Sequence, residues 1–334
     1  IEEAEKGSLS GIKPQLYGEL TGTDYLESYR VISTGKSSVY LKISEGCDNC
    51  CTYCIIPSLR GPFRSRPLEN IVSEAKKLAE NGAREIILIG QDTTRYGTDL
   101  YNERKLVPLL RELSNIETIE WIRLMYCYPD EIDDELIYEI ASNEKICKYL
   151  DIPIQHASPK ILKLMGRRGT AEETCLLLER LRERIPGVVL RTSLIVGFPG
   201  EDENDFALLE DFVRKYRFDR LGVFMYSKEN RTPAAKMKPQ VPRAVKKKRY
   251  NRIIRIQQGI SRKKNMDRVG NIYKVLCEGV ADDGIFYYGR SYAEAPDIDG
   301  VIYFTSEFPV NTGSFVDVLI VNSNEYDLTG AVSN

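Results

Sequence analysis

The residues best suited to chemistry crowd into positions 45–57, EGCDNCCTYCIIP, where Cys47, Cys50, Cys51 and Cys54 fall within eight residues. Thiols this close together are metal ligands or redox centres. Read as two consecutive Cys-x-x-Cys pairs, they look like two zinc knuckles. Knuckles that share one tetrahedral metal are usually well separated, however, and here nothing lies between them. Read as a redox pair, Cys-x-x-Cys is expected at the start of a helix in a thioredoxin-like unit, where two further thiols would be an odd addition. Read as Cys47-x-x-x-Cys51-x-x-Cys54, three thiolates hold three corners of a [4Fe–4S] cluster and leave the fourth iron open to a ligand that is not protein. Spacing alone does not remove Cys50, because a helical turn would put it on much the same side.

The other four cysteines, Cys127, Cys147, Cys175 and Cys277, are scattered among apolar neighbours and read as buried small hydrophobes. A secreted disulfide framework would be shorter and more regularly spaced. No apolar run approaches the length of a membrane span, and the acidic, polar start IEEAEKGSLSG is unlike a signal peptide. The expectation is a reduced, cytoplasmic protein. The chain opens on Ile1, so the natural protein is expected to extend further toward its N-terminus. His156 is the only histidine, so any Ser/His/Asp or Cys/His arrangement must use it. It reads equally as a site neighbour and as a histidine hydrogen-bonded in a loop. No paired carboxylates are spaced for acid–base work.

The elements that must position the thiols alternate regularly. Residues 1–37, rich in Gly, Ser, Thr and Tyr, read as a linker or arm. Strands are expected at 39–44, 85–90, 119–126, 149–154, 188–197 and 220–227. Helical patterns follow them at 67–82, 105–115, 133–143, 160–166, 170–187 and 203–216. Strand–helix alternation implies parallel pairing with right-handed crossovers, in a full or partial barrel or an open doubly wound sheet. In either case chemistry collects at the carboxyl ends of the strands, and the cysteine stretch directly follows the first.

Beyond the core, positions 241–266 hold ten Lys or Arg and no acid. This stretch reads as an amphipathic helix with an imperfect apolar face of Val245, Ile253, Ile256 and Ile260; contact with RNA is the sharper alternative. Positions 268–334 carry three basic against ten acidic side chains, a net of −7. Short aromatic and β-branched runs split by Asp-Gly turns mark this segment as a small all-β, barrel-like module of five strands. The domain boundaries are therefore 1–37, 38–240, 241–267 and 268–334.

Cys-x-x-x-Cys-x-x-Cys with Tyr53 before the last Cys, placed after the first strand of a βα barrel, resembles the radical S-adenosylmethionine (SAM) superfamily. That resemblance implies a partial (βα)6 barrel, a [4Fe–4S] cluster on Cys47, Cys51 and Cys54, and Cys50 as a bystander. Its open iron would chelate the methionine part of SAM, and one electron would cleave the sulfonium to a 5′-deoxyadenosyl radical. Tyr53, Gln155, Arg191 and Ser193 are the expected SAM contacts. Ile195 and Gly197 are further candidates at the adenine, and 90–92 (GQD) at the methionine amino group. GPFRSRP (61–67), ILIGQDTTRYG (87–97), YLDIPIQHAS (149–158), LMGRRG (164–169) and RTSLIVGFPGE (191–201) resemble the methylthiotransferases, and the β module resembles their TRAM domain. DIPIQHAS, AEAPDIDGVIY (293–303) and NEYDLTG (324–330) are similar to the ribosomal-protein branch, the RimO type. This implies an aspartate β-carbon on ribosomal small-subunit protein 12 as the target, on or off the ribosome, and a reductase or flavodoxin-like electron donor. The acidic tail agrees with a basic protein partner and disfavours tRNA. A tRNA adenosine methylthiotransferase is the alternative enzyme, and a zinc-stabilised ribosome-binding module the alternative that is not one. No cysteine precedes Cys47. The chain thus resembles the family's core and tail without its first domain, which holds a second [4Fe–4S] cluster; a single cluster and SAM cleavage, without the complete reaction, are expected.

Overall fold

The computed structural model describes Thr23 and residues 37–333; the arm expected at 1–37 otherwise lies outside the described residues. Six strands form one parallel sheet in sequence order: β1 (Ser38–Lys42), β2 (Glu85–Ile89), β3 (Trp121–Leu124), β4 (Ile146–Asp151), β5 (Val189–Val196) and β6 (Arg220–Met225). The helices between them are α1 (Ile56–Arg60), α2 (Leu68–Glu80), α3 (Leu106–Ser114), α4 (Asp134–Ser142), α5 (Pro159–Leu164), α6 (Ala171–Arg184) and α7 (Glu203–Tyr216). β1 and β6 do not pair, so the curved sheet is a partial (βα)6 barrel with an open side. The helix starts are written in sequence: Asp133 and Ser158 cap α4 and α5, and Thr170/Glu173 and Asp202/Asp205 form reciprocal capping boxes at α6 and α7.

Two expectations needed correction. β4 begins at Ile146 and ends at Asp151, three residues earlier at each end than the run at 149–154. Pro153 has no N–H to give a ladder, so the apolar Ile152 and Ile154 belong to a packed strand-end turn. The short α1 and a two-residue ladder, Ser44–Glu45 against Arg64–Ser65, were not foreseen. Both bracket the cysteine loop.

α8 (Arg243–Met266) is the expected basic helix, with Ile253 and Ile260 buried against the core. It leads into a closed five-stranded barrel: β7 (Ile272–Val280), β8 (Tyr287–Arg290), β9 (Ile302–Thr305), β10 (Phe315–Ser323) and β11 (Leu328–Val332). This module closes the amino-terminal end of the partial barrel. Ala293 and Ala295 enter an apolar cluster with Ile87, Trp121, Tyr149 and Val189, and Phe315 meets Trp121 edge-on at 4.7 Å.

Buried ion pairs fasten the same junction. Glu85 accepts from Arg123 at 2.7 Å and from Arg290 of the module at 2.6 Å. Burial alone would raise the Glu85 carboxyl, but Arg290 and Arg123 outweigh it and hold it at about 2. Glu294 is likewise buried and held at about 2, its burial outweighed by Arg268 and Arg220. Tyr40 and Tyr149 donate to Asp297 and Asp299. Four of the ten tail acids (Glu278, Glu294, Asp297 and Asp299) are thus engaged inside the molecule. The −7 charge overstates what the module offers to a partner, and the AEAPDIDG stretch is a plug under the barrel.

Candidate metal and cofactor site

The cysteine loop is built by backbone geometry at one end and by distant carbonyls at the other. Gly46 takes φ +79°, and a Cβ there would sit 2.0 Å from the Pro62 carbonyl oxygen, so only glycine lets the chain pass. The Cys47 N–H then donates to the Gly61 carbonyl at 3.2 Å, and the Asp48 carboxylate accepts from the Phe63 N–H at 2.9 Å. Thr52 is held on both sides: its N–H donates to Met165 O, its hydroxyl to Leu164 O, and its carbonyl accepts from Ala234 N–H. The LMGRRG stretch is therefore a clamp on the loop.

Cys47, Cys51 and Cys54 line one cavity of about 430 Å³ at the carboxyl ends of the strands. Cys50 is exposed, outside that wall, with its Sγ 3.7 Å from the Asp48 carbonyl. Burial pushes the Cys47 and Cys54 thiols up, so a bound metal, not the protein alone, must supply the drive to deprotonate them. Cys47, Cys51 and Cys54 on one cavity wall are three thiols of the kind a [4Fe–4S] cluster takes, each on its own iron.

The rest of the wall comes from successive strand ends. Gly90 and Gln91 follow β2, Tyr126 and Tyr128 follow β3, Pro153 and Gln155 follow β4, and Arg167 follows α5. Tyr126 and Gln155 both hold positive φ, +59° and +74°, and strain at two non-glycine residues on one cavity wall is a mark of a working site. The Gln155 N–H donates to Ser193 O, and the Gln155 carbonyl accepts from Ile195 N–H. Tyr53 packs edge-on against Phe198, and burial raises its hydroxyl well above its usual range. The half-buried Arg167 guanidinium lies 3.9 Å from Cys51 Sγ, donates to Pro153 O at 2.6 Å and stacks over Tyr128 at 3.9 Å.

Of the expected SAM contacts, Tyr53 and Gln155 line the cavity; Arg191 and Ser193 do not. Arg191 sits low on β5, donates to Asp151 at 2.5 Å and lines a different cavity, of about 390 Å³, between β6, α8 and the β module. Ser193 Oγ lies against Gly222 on β6. In the GQD turn, Gly90 and Gln91 reach the wall, while buried Asp92 holds Asn49 from behind. Ile195 packs with Tyr53, Phe198 and Tyr226, and Gly197 gives its N–H to Glu201. His156 is fully buried behind the wall, its Nδ1 accepting from Ser158 N–H and its Nε2 3.5 Å from Glu201, which is the loop role. Arg167 and Tyr126 were missed as site residues. The paired arginines of LMGRRG were the available sign for the first, and nothing in sequence marks the second.

A family profile described as the radical SAM superfamily matches residues 41–213, and one described as a TRAM domain matches 269–332. The chain is 60% identical over 322 residues to ribosomal protein uS12 methylthiotransferase RimO of Acetivibrio thermocellus, covering 96% of this chain and 71% of that protein. It is 50% identical over 322 residues to the protein of the same name from Clostridium acetobutylicum, covering 96% and 72%. Among solved structures, Escherichia coli coproporphyrinogen III oxidase, described as a radical SAM enzyme, superimposes with a TM-score of 0.50 at 17% identity, covering 77% of this chain and 67% of that one; this likeness supports the fold alone. The chain therefore belongs to the radical SAM superfamily and, within it, to the RimO family of ribosomal protein uS12 methylthiotransferases.

Proposed function

We propose that the cavity on Cys47, Cys51 and Cys54 holds a [4Fe–4S] cluster with one open iron beside SAM, and that SAM cleavage there is this chain's part in methylthiolating the β-carbon of an aspartate on ribosomal protein uS12. The carrying observation is that three of four clustered cysteines share one cavity wall while Cys50 is turned out of it. When bound, the cluster supplies one electron to SAM and with it the radical chemistry of the superfamily.

The chain's own residues do the remaining work. The three thiolates anchor the cluster at one side of the cavity. Arg167 places a positive charge beside Cys51. This favours the extra electron of the reduced state over the oxidised one, because a nearby cation in a buried site is weakly screened. Tyr53 and Gln155 bound the space left for SAM, the first as a packed ring and the second as a rigid strand-end amide. The open side of the barrel admits a polypeptide loop to that space, while the β module shuts the opposite end. Electrons reach the cluster from a reductase or flavodoxin-like donor in the cytoplasm.

The test is electron paramagnetic resonance on anaerobically reconstituted, dithionite-reduced protein, with and without SAM. A reduced [4Fe–4S] spectrum that changes shape on adding SAM is expected. Tightly bound zinc with no iron–sulfur spectrum would overturn the proposal and favour a structural module.

A further inference from the structure

We propose that the face shared by the end of α7 and the outer side of α8 binds the phosphodiester backbone of RNA. Arg214 and Arg217 from α7 and its C-cap, with Arg255 and Lys263 from α8, surround an open depression of about 530 Å³. All four side chains are exposed, and among the described residues none has an ion-pair or hydrogen-bond partner. Four other cations of α8 are engaged within the molecule. Arg249 pairs with Glu201 and Glu203, Arg252 with Glu210 and Lys264 with Asp219, while Lys246 donates to the Tyr226 carbonyl. Arg243, Lys247, Lys248 and Arg262 of α8 are also exposed without an ion pair among the described residues; what sets this depression apart is that two arginines of another helix join two cations of α8 around it. Like charges held together without counter-charges cost stability, and an external polyanion is the compensation that makes such a patch favourable.

The chemistry of the patch favours phosphate. Three of the four groups are guanidinium forks, which match phosphate oxygens two at a time. Gly259, with nothing within 4 Å of where a Cβ would sit, leaves the floor open to a bulky backbone. A lipid surface fits less well, because an interfacial helix turns large apolar side chains outward, whereas Ile253 and Ile260 of α8 are buried in the core. The patch lies on the core and its connecting helix, not on the acidic β module. It is independent of the reaction proposed for the cavity, although a family acting on a ribosomal protein meets RNA beside its substrate.

The experiment is fluorescence anisotropy of the full chain with a labelled RNA hairpin across a salt series. Four phosphate contacts give a log–log slope of about −3, so affinity falls about sixtyfold between about 50 and 200 mM salt. The combined variant Arg214→Gln/Arg217→Gln/Arg255→Gln/Lys263→Gln should lose most of that slope with an unchanged circular dichroism spectrum. Lys76→Gln/Lys77→Gln on α2 should keep it. An unchanged slope in the fourfold variant, equal loss in the α2 variant, or binding to anionic vesicles or polyglutamate in preference to RNA would overturn the proposal. SAM cleavage by the same preparations, loaded with a cluster, reports separately on the cavity, so failure of one reading is not mistaken for failure of the other.

Discussion

Replacing Glu85 by Gln keeps the shape of the side chain and removes the charge at the centre of the core–module junction. Both guanidinium partners are almost fully buried, Arg123 at 0% and Arg290 at 1% side-chain exposure, so the variant leaves buried positive charge short of a partner. Arg290 keeps Glu278 at 2.7 Å; Arg123 keeps only the Tyr292 carbonyl at 2.7 Å and the face of Tyr149. The carboxyl is lowered from 4.5 to about 2 in the folded protein. At about 1.36 kcal/mol per pH unit this is worth about 3 kcal/mol, the same order as the loss when one partner of a buried pair is removed. Because the folded value lies below the unfolded one, the stabilisation is complete above about pH 4.5 and drains away as pH falls toward 2. The single tryptophan, Trp121, touches Phe315 across the junction and reports on it by fluorescence. Urea unfolding followed at Trp121 should show Glu85→Gln less stable by about 3 kcal/mol at pH 7, with a flatter acid dependence than the parent between about pH 4.5 and 2. A loss under about 1 kcal/mol, or an acid dependence identical to the parent's, would refute the view that this pair fastens the module.

Cys50→Ala should retain the iron and sulfide content of the parent after reconstitution, whereas Cys47→Ala, Cys51→Ala and Cys54→Ala should each lower it; metal and acid-labile sulfide analysis decides. Gly46→Ala forces a Cβ to within 2.0 Å of the Pro62 carbonyl oxygen in a left-handed backbone region. It should cost about 1–3 kcal/mol and reduce cluster loading, measured by thermal unfolding and by iron content. Arg167→Gln removes the charge 3.9 Å from Cys51 Sγ, so the loaded protein should be harder to reduce, by on the order of 60 mV for each tenfold change in the one-electron equilibrium. Potentiometric titration followed by electron paramagnetic resonance measures it.

The strand–helix order, the five-stranded module and the basic helix were all readable from pattern, because short apolar runs, buried at all but one position of β2 and β3, alternate with helices that bury one face. β4 was misplaced because its apolar residues continue past Asp151 into a turn that carries Pro153, and hydrophobicity alone does not separate a strand from a packed turn. The cysteine spacing located the site but left Cys50 undecided; the outward turn of that residue depends on Gly46 and on carbonyls of Leu164 and Met165, over a hundred positions away. Arg191 was expected at the cofactor because the resemblance places the fifth strand beside it. Its partner is Asp151 on the neighbouring strand, a cross-strand pairing that composition does not reveal. The tail's charge was counted correctly and misread in part, since Glu294, Asp297 and Asp299 face tyrosines and arginines of the core.

The plug at the base of the barrel also orders events during synthesis. Glu85 and Arg123 emerge from the ribosome well before Arg290, and at about 5–20 residues per second the gap between Arg123 and Arg290 is roughly 8–33 s. Within that interval Trp121, and then Tyr149 and Val189 as they are made, have no cover, because Ala293, Ala295 and Phe315 do not yet exist. A nascent chain interrupted before Arg290 is left with an open, apolar underside and an unfinished charge network. Synthesis of residues 290–315 is thereby coupled to closure of the core domain, and products ended before them carry the exposed apolar surface by which quality-control proteases and chaperones recognise unfinished chains.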